Sequence, residues 1–72
     1  MSMSLATVQE GKTYIVQRLD TGDEELNSFL FSLDCYTGEP VTVVSRRWGS
    51  CVVSVKDGRY CIDSRLAAAI HV

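Results

Sequence analysis

Val41-Thr42-Val43-Val44-Ser45-Arg46-Arg47-Trp48-Gly49-Ser50-Cys51-Val52-Val53-Ser54-Val55-Lys56-Asp57-Gly58-Arg59-Tyr60-Cys61-Ile62-Asp63 is the stretch that decides the fold. It holds three short runs rich in β-branched or alternating residues, at 41–47, 51–56 and 59–63. Such side chains suit a pleated, half-buried surface. The runs are separated by Trp48-Gly49-Ser50, which reads as a hairpin tip, and by Asp57-Gly58, a strong two-residue hairpin signal. Two consecutive hairpins follow from this stretch alone.

Upstream, residues 13–19 (Thr-Tyr-Ile-Val-Gln-Arg-Leu) read as a first strand, broken by Asp20-Thr21-Gly22. Before it, residues 5–12 form a lead-in segment that ends in a turn at Glu10-Gly11-Lys12. The spacing predicts a helix over 23–33, because Leu26, Phe29, Leu30 and Leu33 recur at i, i+3, i+4 and i+7. Thr21 with Glu24 fits a capping box, and Asp23, Glu24 and Glu25 suit the positive end of the helix dipole. Phe31 lies far round the helix from the apolar stripe. Residues 34–40 are a connection, with Thr37-Gly38-Glu39-Pro40 as a turn. Downstream, Ser64 is positioned to cap one short turn through Ala67, and Ile70-His71-Val72 alternates as a closing strand would. The expectation is a mainly β chain. It takes the form of a small SH3-like barrel of five to six short strands, with one amphipathic helix after the first strand. Residues 1–72 form a single domain. Leu26, Leu30, Leu33, Val43 and Val55 are expected to be buried.

Composition narrows the function. A 72-residue domain buries only about 60% of the surface its unfolded chain exposes, which leaves few core residues from which to build a deep active site. The net charge of −2 argues against nucleic acid or an anionic membrane surface as partner. No apolar run approaches the ~20 residues that span a bilayer, and the N-terminus lacks the pattern of a signal peptide, so a cytoplasmic protein without direct membrane insertion is expected. Cys35, Cys51 and Cys61 are odd in number and irregular in spacing, with no C-x-x-C pair and a single histidine, His71. This is neither a disulfide framework nor a local metal-ligand pattern, and no metal ligand is assigned. There is no phosphate-binding G-x-x-x-x-G-K-[ST] loop, and no nucleophile–base pair can be placed. The chain is expected to be no enzyme and to need no cofactor.

The order and spacing of the elements resemble the FeoA family, over residues 5–72. The most specific stretch is Leu30-Phe31-Ser32-Leu33-Asp34-Cys35-Tyr36-Thr37-Gly38, close to the family's L-x-S-L-G-[apolar]-x-P-G. Leu30, Ser32, Leu33 and Gly38 match; Val41, Val43 and Val44 look like the strand that follows; and Ile70-His71-Val72 looks like the closing I-x-V. The chain departs from the pattern at Asp34, where the family has glycine, and at Thr37, where it has proline. Phe29 stands where a basic residue is common, and the hairpin tip at 47–51 is shorter than the family's A-P-x-G-D-P. The resemblance implies a role beside FeoB, a membrane transporter of ferrous iron with a cytoplasmic GTPase domain, and a weak association with transition metals. It also implies kinship with the barrel at the C-terminus of iron- and manganese-dependent repressors. Two other readings remain open: a generic SH3-like module that binds protein or nucleic acid outside iron transport, and a metal-sensing module. Nothing in the sequence sets the oligomeric state.

Phe31, Arg46, Arg47 and Trp48 are the candidate partner-binding residues. Arg and Trp are enriched in interface hot spots, and Phe31 has no place in the local core pattern. The competing account of Trp48 is a side chain folded back as a lid on the barrel, with two solvated arginines beside it.

Overall fold

The computed structural model describes residues 3–72. Six strands and two helices follow in the order β1 (Thr13–Ile15), β2 (Arg18–Leu19), α1 (Glu24–Ser32), β3 (Pro40–Arg47), β4 (Ser50–Val55), β5 (Gly58–Asp63), α2 (Ser64–Ala69) and β6 (Ile70–His71). This is the small, mainly β, SH3-like fold that the sequence predicts, with a second short helix, α2, where one turn through Ala67 is expected. The strands form two antiparallel sheets, β1-β3-β4-β5 and β2-β6, which are not joined into a closed barrel.

The expected first strand is in fact two. Tyr14 pairs with Val41 in the large sheet, whereas Arg18 and Leu19 pair with His71 and Ile70 in the small one. Between them Val16 is fully buried and exchanges hydrogen bonds with the next loop: its amide donates to the Glu39 carbonyl at 3.0 Å and its carbonyl accepts from Gly38 at 2.8 Å. Residues 13–19 read as one β-rich run, Thr-Tyr-Ile-Val-Gln-Arg-Leu, with no glycine or proline at this corner to mark the change of sheet.

The β3–β4 hairpin turns at Trp48-Gly49, where Gly49 adopts the left-handed φ of +68°. The next turn lies one residue earlier than expected. Val55 pairs with Gly58, so Lys56 and Asp57 make the turn, with Lys56 at φ +52°. Gly58 is the first residue of β5, and a β-carbon there would collide with the Tyr60 ring. Between Val43 and Ser45 the register slips, making Val44 a bulge. The freed Val43 carbonyl accepts from Gly11 at 2.8 Å.

Val41, Val43, Cys51, Val53, Val55 and Ile62 supply one side of the core, and Leu30, Leu66, Ala67 and Ile70 supply much of the other. The lead-in segment belongs to it too: Leu5 and Val8 are buried. Two helix caps differ from expectation. Asp23, not Thr21, caps α1, its carboxylate accepting from the Glu25 amide at 2.8 Å, while Thr21 accepts from the Asp23 amide. Asp63, not Ser64, caps α2 by accepting from Leu66 at 2.7 Å. An ionised carboxylate is the stronger acceptor for these orphan amides.

The helix stripe is not buried as a unit. Leu30 is 1% exposed, Leu33 is half-buried, and Leu26 and Phe29 are 40% and 48% exposed. The expectation that Leu26 is buried is therefore wrong. The core of so small a domain receives one side chain from α1 and leaves the flanks of its apolar face in solvent.

Candidate docking surface

α1 sits on the body of the protein through Leu30, and what it does not bury becomes surface. Phe31, off the stripe, is 61% exposed. Its ring leans on Tyr36 with centroids 4.7 Å apart and planes tilted by 36°. The two rings form one wall of an open groove of about 620 Å³, lined also by Arg18 and Leu19 of β2, Asn27 of α1 and Thr37. The groove exists because α1 ends in a tight wrap that returns the chain beside its own last turn. Glu39, by hydrogen bonding and its negative charge, raises the Tyr36 phenol above its usual range. Lys56 lies 3.4 Å from Glu39 and 3.8 Å from Asp34, tying the β4–β5 turn to this loop.

A second hollow, of about 350 Å³, lies between the two helices. Leu26, Leu66, Ala69 and Arg65 line it. The exposed flank of the helix stripe and the groove beside Phe31 thus give α1 two accessible faces with apolar content.

Trp48 stands at the β3–β4 tip, fully exposed. It is no lid on the core. Arg47 beside it is exposed and has no ion pair among the described residues. Arg46 is otherwise employed. Its guanidinium donates to the carbonyls of Leu5 at 2.9 Å and Val8 at 2.6 Å, and its amide donates to Glu10 at 2.9 Å. It fastens the lead-in segment across β3. Phe31 and Trp48 are not neighbours: Tyr36, against Phe31, precedes β3, and Trp48 follows it. The strand's eight residues, at roughly 3.3 Å each, separate them. The four candidate residues accordingly divide into an aromatic groove at one end, an exposed tip at the other, and one structural arginine. Sequence reasoning missed Tyr36, Arg18 and the open flank of Leu26 and Phe29. A helix stripe broader than a 72-residue core can cover was the one signal available for the last of these.

The thiols do not build a reactive centre. Burial pushes Cys35 up to about 11 and raises Cys51 as well, which keeps both protonated, the reverse of an activated nucleophile. Cys61 is exposed on β5. Among the described residues, no three His, Cys, Asp or Glu side chains gather where they could hold a metal ion. His71 lies 3.8 Å from Asp20 and pairs with no cysteine. No helix among the described residues is long and apolar enough to cross a membrane.

Comparison with known proteins fits this picture. A manganese-dependent transcriptional repressor shares the fold, with a TM-score of 0.88 and 23% identity over 99% of this chain, which spans 40% of the repressor's length. The manganese complex of such a repressor gives a TM-score of 0.86 at 24% identity, covering 99% of this chain and 35% of that one. An iron uptake regulatory protein (FeoA) matches along almost its whole length: TM-score 0.84, 25% identity, 100% of this chain and 94% of that chain. No curated protein matches the sequence. The family model described as the FeoA domain covers residues 3–72, every residue the fold uses, and the chain belongs to the FeoA family.

Proposed function

We propose that this protein is a non-catalytic accessory module of ferrous-iron uptake, acting at the cytoplasmic face by contact with the GTPase domain of a FeoB-like membrane transporter. The observation that carries this reading is the family match across residues 3–72, with a domain that is itself almost the whole of the similar iron uptake regulatory protein. The geometry supports a protein that works by contact. Its thiols are buried and protonated or isolated, while large apolar side chains stand in solvent on α1 and at the β3–β4 tip. Iron is the transporter's cargo in this reading, and the module needs no metal of its own.

Phe31 and Trp48 act as two separate anchors, since they lie at opposite ends of β3. Arg47 steers the encounter. The test is titration of the purified GTPase domain of the candidate transporter with the folded protein. Wild type should bind, and Phe31→Ala and Trp48→Ala should each weaken binding by roughly 5–150-fold, the range of a typical hot spot. Arg47→Ala should act mainly on the association rate and its salt dependence. Absence of wild-type binding would overturn the reading. Undiminished binding by both aromatic variants would move the contact to the Leu26–Phe29 flank.

A further inference from the structure

β5 is the last strand of the large sheet, and its outer edge has no backbone partner among the described residues. Native proteins blunt such an edge with a bulge, a proline, a very short strand, charged side chains or a covering loop. β5 has no bulge and no proline and is not short; its only such device is the charge pair Arg59 and Asp63. The strand runs six residues, Gly58–Asp63, in unbroken register with β4, whereas β3 carries the bulge. The other outer strand of that sheet, β1, is only three residues long. Edge pairing is therefore most available at β5.

The strand also carries a charge pattern that selects its own partner. Arg59, Cys61 and Asp63 alternate onto the exposed face, with Tyr60 and Ile62 turned to the core. If a second β5 lies antiparallel with Cys61 opposite Cys61, then Arg59 falls opposite Asp63, and Asp63 opposite Arg59. Moving the two-fold axis by one residue destroys this match. Centred on Tyr60, the register sets Arg59 against Cys61. Centred on Ile62, it sets Cys61 against Asp63. Arg59 makes no ion pair among the described residues. Asp63 spends Oδ1 on the α2 cap and keeps Oδ2 for a partner. Opposite charges on facing strands favour pairing, and like charges oppose it.

We infer that the protein forms a two-fold dimer through β5, in which two four-stranded sheets join into one of eight strands with Cys61 on the axis. The occupant of the edge is a second copy of this chain. The interface is one strand wide, so association depends on protein concentration. Directly opposite β-carbons lie roughly 4.5–5.5 Å apart, which places the two Cys61 thiols within reach of a short cross-linker. Cys35 and Cys51 are buried and do not compete for the reagent.

Sedimentation equilibrium of the full chain, kept reduced, tests this directly. The 8.0 kDa protein should approach twice its mass as concentration rises. A short bis-maleimide should join two chains through Cys61 alone. Cys61→Lys, at an exposed position, sets two positive charges face to face on the axis, and Arg59→Asp sets two negative pairs beside it. Each should weaken dimerisation by about tenfold or more, with unchanged circular dichroism as evidence of folding. Cys61→Ser should still dimerise but lose the cross-link. A monomer at every concentration up to the millimolar range would overturn the inference. So would a dimer that both charge variants leave intact, or a cross-link that does not involve Cys61.

Discussion

The Cys35 amide donates to the Leu30 carbonyl at 2.9 Å, and both side chains are buried beneath that bond. Together with the bond from Asp34 to Phe31 at 3.0 Å, it closes α1 with a complete Schellman wrap. The pivot of the wrap is Asp34, at φ +64°. Glycine is the residue that adopts this conformation without penalty, so the family's glycine at this point of the motif has a backbone cause.

Asp34→Gly should therefore stabilise the protein. Relief of the left-handed strain, set against the greater freedom of glycine in the unfolded chain, leaves a gain of about 0.5–1 kcal/mol. The lost contact with Lys56 is half-exposed and worth little. Urea unfolding should show a higher midpoint. A lower midpoint would mean that the Lys56 contact outweighs the strain.

Arg46 and Arg47 are neighbours with opposite duties. Removing the Arg46 guanidinium strips two carbonyls of a charged donor, and such bonds contribute about 1.5–3 kcal/mol. Arg46→Ala should lower stability by about that amount and speed hydrogen exchange in residues 5–10. Arg47→Ala should leave the unfolding midpoint within about 0.5 kcal/mol of wild type. Equal effects from the two would refute this division.

Along α1, stability should follow exposure and ignore the apolar pattern. Leu30→Ala opens a cavity in the core and should cost about 2–5 kcal/mol, enough to threaten folding. Leu26→Ala and Phe29→Ala remove side chains that are already two-fifths to a half exposed and should cost about 1 kcal/mol or less. Thermal denaturation of the three variants checks this order.

The buried thiol of Cys35 makes stability fall in alkali. Its folded value of about 11 lies above the 9.0 of a free thiol, so the unfolded chain releases this proton first as pH rises. The contribution is complete below about pH 9 and is lost through about pH 11, a decline of roughly 1–3 kcal/mol. Urea unfolding at stepped pH should show this slope, and Cys35→Ala should reduce it. In the native protein at pH 8, a disulfide reagent should titrate one thiol, Cys61, with the other two reacting only on unfolding.

The hairpins were legible because their signals are local: Gly49 marks its turn, and Asp57-Gly58 marks the next to within one residue, the turn itself being Lys56-Asp57. The helix was legible from the spacing of Leu26, Phe29, Leu30 and Leu33, but its burial was not, because burial depends on how much core the other elements offer. Val16 shows the same limit. Its corner is made by Gly38 and Glu39, more than twenty positions away, and no turn residue within 13–19 marks it. Arg46 looked like a surface residue because its partners are backbone carbonyls about forty positions earlier, and a carbonyl has no sequence signature. Phe31's place outside the core follows from its angle on the helix, whereas Tyr36 sits in a connection whose sequence carries no sign of the groove.

The last strand returns to the first described residues. Val72 donates to the Met3 carbonyl at 2.8 Å and Leu5 to the Ile70 carbonyl at 3.1 Å, with Ser4 bridging His71 on the side of β6 away from β2. The path of the chain is therefore almost a ring. Tension applied between residues 3 and 72 would meet β6 and its neighbour as a zipper, opening one hydrogen bond after another from a single end, while the interlocked large sheet carried no load until the clasp had parted.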